Sequence, residues 1–184
     1  MARRTKPDAI ALIKEDHRKV EKLFDSFEKA RDQDRKKALA REICTELTIH
    51  AMIEEEIFYP ACQGTIEDED VLDEAYVEHD GAKVLISEIM SNINARYFEA
   101  KVTVLSEMIK HHVKEEEKRS DGLFAEAKKA GLDMEGLGER MMQRKQELMA
   151  EFGEGDNLPA PETRSFTGHE LHQGKPVEMS QAGD

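Results

Sequence analysis

Tryptophan is absent from the 184-residue chain, cysteine occurs twice and proline five times. There is no sustained period-two alternation and no hairpin dipeptide between β-branched runs, which excludes a sheet and leaves an all-α fold. No stretch reaches the ~20 consecutive apolar residues needed to span a bilayer, so no membrane partner is expected. An apolar secretory core is missing near Met1, which places the expected location in the cytoplasm. Cys44 and Cys62 lie far from any CxxC spacing and read as reduced thiols. Positive charge is also scarce. A formal net charge of −13 argues against a nucleic-acid partner, because phosphate binding needs a concentrated basic face. The one basic cluster, Arg3, Arg4 and Lys6, is short and reads as a solvated end. An acidic surface instead favours the approach of cations.

What the chain does contain is helical periodicity. Charged residues make up 36% of it, which suits long solvated helices. Four segments are expected at about residues 7–31, 35–62, 68–94 and 97–130, in up-down-up-down order. Pro7 and Asp8 suit a first turn, and Gly131 suits the residue closing the fourth segment. Gly81 reads as a point of close helix contact. A fifth segment at 134–152 carries Met134, Leu137, Met141, Leu148 and Phe152 on one side. That Met-rich side either packs on the bundle or docks a partner or a second copy. From Gly153 onward the residues are polar and Gly/Pro-rich, and a disordered or loosely attached tail is expected. The tail holds His169 and His172, a weak i,i+3 pair. The expected division is thus a four-helix bundle over 7–131, an extra amphipathic helix over 132–152 and a tail over 153–184.

Each of the four stripes is interrupted by a histidine. The first runs Ile10, Ile13, His17, Val20, Phe24, Phe27, and the second runs Leu39, Ile43, Leu47, His50, Glu54, Ile57. The third carries His79 between Ala75 and Ala82, and the fourth carries His112 and Glu116 after Ile109. His111 points about 100° away and reads as a rim residue. A carboxylate on a core face costs several kcal/mol unless a cation or strong donors compensate it. Counted from the turns, the four histidines fall at matching heights, since an offset of one residue is only ~1.5 Å. Two glutamates lie one turn away at the same i,i+4 spacing. Six such ligands exceed the needs of one tetrahedral zinc. Two carboxylates between paired histidines suit two metals held close together, and the ligand chemistry admits iron, manganese or zinc.

The segments DHRKVEKLF, HAMIEEEIFYP, EHDGAKVL and HHVKEEEKRSDGLF resemble the hemerythrin family, in its HHE cation-binding branch. The resemblance covers about residues 8–130. It implies His17, His50, His79 and His112 as terminal ligands of two non-heme irons, bridged by Glu54 and Glu116. It also implies O₂, NO or peroxide as the small ligand. Oxygen-carrying members have a second histidine four residues from the first on the third helix. Here those positions are Ala75 and Lys83, which leaves one iron short of a ligand. Water, Tyr76 or a neighbouring glutamate is expected to complete it, and an open position favours reactivity or sensing over reversible O₂ carriage.

Three functions follow as expectations. The first is a small-molecule-binding di-iron protein with apolar walls from Phe24, Phe27, Ile53 and Ile109. The second is a peroxide- or NO-consuming enzyme, for which no general acid or nucleophile beyond the ligands stands out. The third is an interaction module whose fifth helix and tail respond to the metal.

Overall fold

A computed structural model describes residues 8–153 and 158–165. Every regular element among them is helical. α1 (Ala9–Lys29) starts at Asp8, whose carboxylate accepts from Ala11 N at 3.1 Å, and α2 (Gln33–Ile53) starts in the same way at Asp32. A π-helical turn (Glu54–Phe58) leads into the short α3 (Tyr59–Cys62). α4 (Asp70–Ser91), α5 (Phe98–Glu116), α6 (Leu123–Lys129) and α7 (Met134–Phe152) follow. The contacts α1–α2, α2–α4, α4–α5 and α5–α1 close a four-helix ring, and α7 lies against α1 and α2.

Two expected helices are broken, each for a local reason. The second segment does not run as one α-helix to Cys62. Pro60 has no N–H for the carbonyl of Glu56, and the ladder loosens just before it, where Tyr59 N bonds Glu54 O. The fourth segment does not continue to Ala130. It stops at Glu116, and Gly122 then passes so close to the preceding turn that a Cβ there would lie 2.5 Å from the Glu115 carbonyl oxygen and 2.7 Å from that of Glu116. Only glycine fits that crossing. Gly131, at φ +73°, ends α6 in the left-handed conformation.

The apolar interior falls into two clusters, one on each side of the histidine layer. Phe24, Phe27, Leu39, Ile86, Phe98 and Leu105 fill one, and Ile13, Ile53, Phe58, Tyr59, Leu123 and Phe124 fill the other. Leu137, Met141 and Leu148 of α7 belong to the second cluster, so its expected apolar side faces the bundle. Gly81 faces Met108, whose terminal methyl would lie 3.0 Å from an added Cβ. Cys44 and Cys62 are buried and unpaired with each other. Residues 158–165 belong to the segment expected to be disordered or loosely attached, and they form a strap along α4, with Leu158 against the first cluster. Pro7, the Arg3/Arg4/Lys6 cluster, His169 and His172 lie outside the described residues. No described helix is long and apolar enough to cross a membrane.

Candidate metal centre

α1, α2, α4 and α5 each send one imidazole to the middle of the ring. His17, His50, His79 and His112 are all buried, as are Glu54 and Glu116. They form two histidine pairs. The His17 and His50 ring centroids are 5.0 Å apart, and those of His79 and His112 are 4.7 Å apart, with their Nε2 atoms 3.2 Å from one another. Each glutamate lies between the pairs. Glu54 Oε2 is 3.1 Å from His50 Nε2 and 3.4 Å from His79 Nε2. Glu116 Oε2 is 3.4 Å from His17 Nε2 and 3.5 Å from His112 Nε2. Each carboxylate therefore reaches one histidine of each pair.

The other ring nitrogen of every histidine faces a carboxylate outside the centre. His17 Nδ1 meets Glu117 Oε1 at 2.9 Å, His79 Nδ1 meets Glu55 Oε1 at 3.1 Å, and His112 Nδ1 meets Glu78 Oε2 at 2.7 Å. His50 Nδ1 faces Asp16 Oδ2 at 3.6 Å, a longer approach. These acceptors hold a ring hydrogen at Nδ1, so that a neutral ring has its Nε2 lone pair aimed inward. Neighbouring side chains hold the acceptors in turn. Glu117 binds Arg18, Asp16 binds Lys145 of α7, Glu55 binds Lys83 and Arg164, and Glu78 meets His111 at 3.3 Å. His111 thus sits on the rim, 65% exposed, as expected.

One further side chain enters the cluster unannounced by the helical periodicity. Tyr59 OH donates to Glu116 Oε1 at 2.9 Å and lies 3.2 Å from His79 Nε2. In an unbroken α-helix a residue five positions after Glu54 would be about 140° away round the axis. The wider π turn brings it back towards the same side. Tyr76, the tyrosine expected near the centre, is one ring further out, packed edge-on against Tyr59 at 5.1 Å. Phe124 of α6 stacks on His17 at 6.1 Å and closes that end with Phe58.

The electrostatics are those of a cation site. Burial opposes charge on His50, yet Glu54 and Asp16 push it up to about 10. His79 goes up to about 9 against the same opposition, through Glu54 and Glu55. Burial works to raise Glu54, but His50 and His79 hold it well below the usual carboxylate range. Glu55 is likewise brought down to about 2, against burial, by His79, Lys83 and Arg164. Burial and the charges of Glu116 and Glu54 keep the Tyr59 phenol protonated far above its ordinary value. Even so, both oxygens of Glu54, Glu116 Oε2 and His17 Nε2 are buried with no hydrogen-bond partner. Orphaned lone pairs at one point are costly without a cation to share. His17, His50 and Glu54 present ligand atoms within 4.8 Å of one another, and so do Glu54, His79 and His112. Two ions sharing Glu54 match this arrangement.

A family description, the Hemerythrin HHE cation binding domain, matches residues 8–119, more than half of the chain. The chain belongs to the hemerythrin HHE cation-binding family. Its fold resembles the crystal structure of an HHE cation binding domain-containing protein from Mycobacterium kansasii, with a TM-score of 0.62 at 22% identity. That likeness covers 78% of this chain and 88% of the other. A DNA nickase from Nostoc sp. is 31% identical over 107 residues, which is 58% of this chain and 30% of the nickase.

The sequence reading of this HHE domain named the six inward residues and omitted Asp16, Glu55, Glu78, Glu117 and Tyr59. Each of the four carboxylates is the sequence neighbour of an inward histidine or glutamate, in a chain where acidic residues are too common to single out. Of the four apolar residues expected to wall the site, Ile109 lines a cavity of about 50 Å³ against the four imidazoles. Phe24 and Phe27 pack deeper in one cluster and Ile53 in the other.

Proposed function

We propose that this HHE domain holds two non-heme iron ions and binds a small molecule, O₂, NO or peroxide, beside them. The observation that carries the reading is the pairing itself: two histidine pairs, with each glutamate reaching across both. His17 and His50 would hold one ion, His79 and His112 the other, and Glu54 and Glu116 would bridge. Tyr59, whose hydroxyl lies 3.2 Å from His79 Nε2, would serve the His79/His112 ion in place of the absent second histidine. Iron bound there supplies one-electron redox chemistry and a coordination position for a diatomic or peroxide ligand. Zinc and manganese accept the same ligands, so the metal must be measured.

The chain's own residues do the rest. The four outer carboxylates orient the imidazoles and raise their basicity. Val20, Leu47, Ile109 and Val113 line the cavity beside the rings and keep its wall apolar, which restrains water at the ligand position. The Tyr59 hydroxyl keeps its proton and donates it as a hydrogen bond to Glu116 Oε1, within the cluster. DNA cleavage is not carried over from the nickase: the match spans 30% of that protein, and this chain carries a formal charge of −13.

A second reading rests on α7. Lys145 binds Asp16, which faces His50, and Arg144 binds Glu56 at 2.6 Å beside Glu54 and Glu55. A change at the centre would therefore be felt by α7, as a metal-responsive interaction module requires. Elemental analysis of freshly purified protein tests the main reading, with two irons per chain expected and fewer in Glu54→Ala. Metal-free protein from iron-replete cells would overturn it. Limited proteolysis of α7 with and without metal tests the second reading, which an unchanged cleavage pattern would remove.

A further inference from the structure

The cavity against the imidazoles is closed on most sides. Phe58, Phe124 and Tyr59 plug one end, the Phe24/Phe27 cluster fills the other, and Glu117 with Arg18 covers His17 on the α1–α5 side. Along the α2–α4 seam the situation differs. Outside that seam lies a groove of about 790 Å³, and it shares three wall residues with the inner cavity: Thr48, Lys83 and Ile86. The residues facing each other inside the seam are small, Ala51 of α2 and Ala82 of α4.

The strap at 158–165 forms the outer wall of this groove. One buried atom collects three of its donors. Asp80 Oδ2 accepts from Arg164 N at 2.7 Å, Ser165 N at 2.6 Å and Ser165 Oγ at 2.7 Å. Lys83 ties strap and seam together, donating to Glu162 O at 3.1 Å and to Glu55 Oε2 at 2.8 Å. Asp80 is fully buried beside His79, and the metal reading gives it no task.

We propose that the α2–α4 seam is the route by which small molecules reach the centre, with Ile86 and Thr48 setting its width and the strap controlling passage. The proposal deepens the small-ligand reading and rests on it. The class admitted follows from the cavity, whose 50 Å³ compares with the roughly 10–15 Å³ that one water needs on the same measure. Molecules of two or three heavy atoms fit, and the apolar lining selects uncharged ones such as NO and O₂ first.

Nitric oxide is the probe, mixed with reduced, iron-loaded, full-length protein in a stopped-flow instrument. Ile86→Phe should slow association about tenfold and Ser165→Pro should quicken it severalfold, as expected for gated access. Iron content should stay at the wild-type level in each variant, and equilibrium NO affinity should stay there in Ser165→Pro, which lies outside the inner cavity, because a gate scales association and dissociation alike. Ile86→Ala, which widens the seam, should accelerate binding and covers the case in which the phenylalanine does not fold. Loss of iron to an excess of chelator is a second readout and should be faster in Ser165→Pro. Wild-type rates in all three variants would overturn the route. A wild-type protein that holds two irons yet forms no NO adduct would instead overturn the small-ligand reading, and the chelator rates would still judge the seam.

Discussion

His112 gives its Nδ1 hydrogen to Glu78 across the α4–α5 interface, at 2.7 Å, and so turns its Nε2 lone pair towards His79 and Glu116. Glu78 lies one residue before His79, so one turn of α4 supplies both an inward imidazole and the acceptor that orients its partner's. Glu78→Ala should leave the bundle folded and lower metal affinity about 10–100-fold, the usual cost of losing such a partner. Competition against a calibrated chelator measures it. Wild-type affinity would mean that packing alone fixes the ring.

Protons and metal compete for the same nitrogens. In chelator-stripped protein, His50 and His79 titrate near 10 and 9, above their ordinary 6.5. The stability they add is complete below pH 6.5 and is lost as pH rises through about 9 to 10. For Glu54 the sign is opposite: its folded value lies below 4.5, so its contribution is complete above that pH and is lost as pH falls. Loading needs both imidazoles neutral. Apparent affinity should therefore rise with pH between ~6 and ~9, by up to about 100-fold per unit if two protons leave. Calorimetry in buffers of different ionisation enthalpy counts those protons. A flat profile would show that the histidines are already neutral before the metal arrives.

Much of this was legible because helical stripes are legible. His17, His50, His79 and His112 broke four apolar rows at matching heights, and Glu54 and Glu116 followed at i,i+4. The all-helical class and the four-helix ring follow from the same rows. What the rows cannot show is a departure from 3.6 residues per turn. The π turn that brings Tyr59 in and the kink after Glu116 are both such departures. Residues 158–165 show a second limit: their polar composition gives no hint that one buried carboxylate, Asp80, collects three of their donors.

Gly122 is the hinge of the second departure. Its φ of −81° is open to any residue, so only space forbids a side chain there. A Cβ would lie within 2.8 Å of Lys118 N as well as the two carbonyls. None of these is a flexible side-chain end, so the backbone must move. Gly122→Ala should cost about 1–3 kcal/mol in chemical denaturation. It should also weaken metal binding, because Glu116 and Glu117 lie in the turn that would shift. Gly131→Ala is the contrast: at φ +73° it meets no atom, and should cost about 1 kcal/mol from strain alone with metal affinity unchanged. Equal effects on metal binding would show that Gly122 shapes the chain ending and not the centre.

The Tyr59 hydroxyl lies between His79 Nε2 and Glu116 Oε1, and Tyr59→Phe isolates that atom. Phenylalanine keeps the ring against Tyr76 and Phe58, so the packing cost should be small. What disappears is the donor to Glu116 Oε1, which then becomes another buried acceptor without a partner. The His79/His112 pair loses its only hydroxyl neighbour among the described residues at the same time. The first iron should load as in the wild type, while the second binds about tenfold more weakly, the lower range for a lost supporting contact. Tyr76→Phe should change neither step, since that ring lies outside the cluster. Stepwise titration of stripped protein with Fe(II) separates the two events. If Tyr59→Phe weakens both steps alike, the hydroxyl serves the bridge at Glu116 and not one ion; if it weakens neither, the π turn has no part in the metal site.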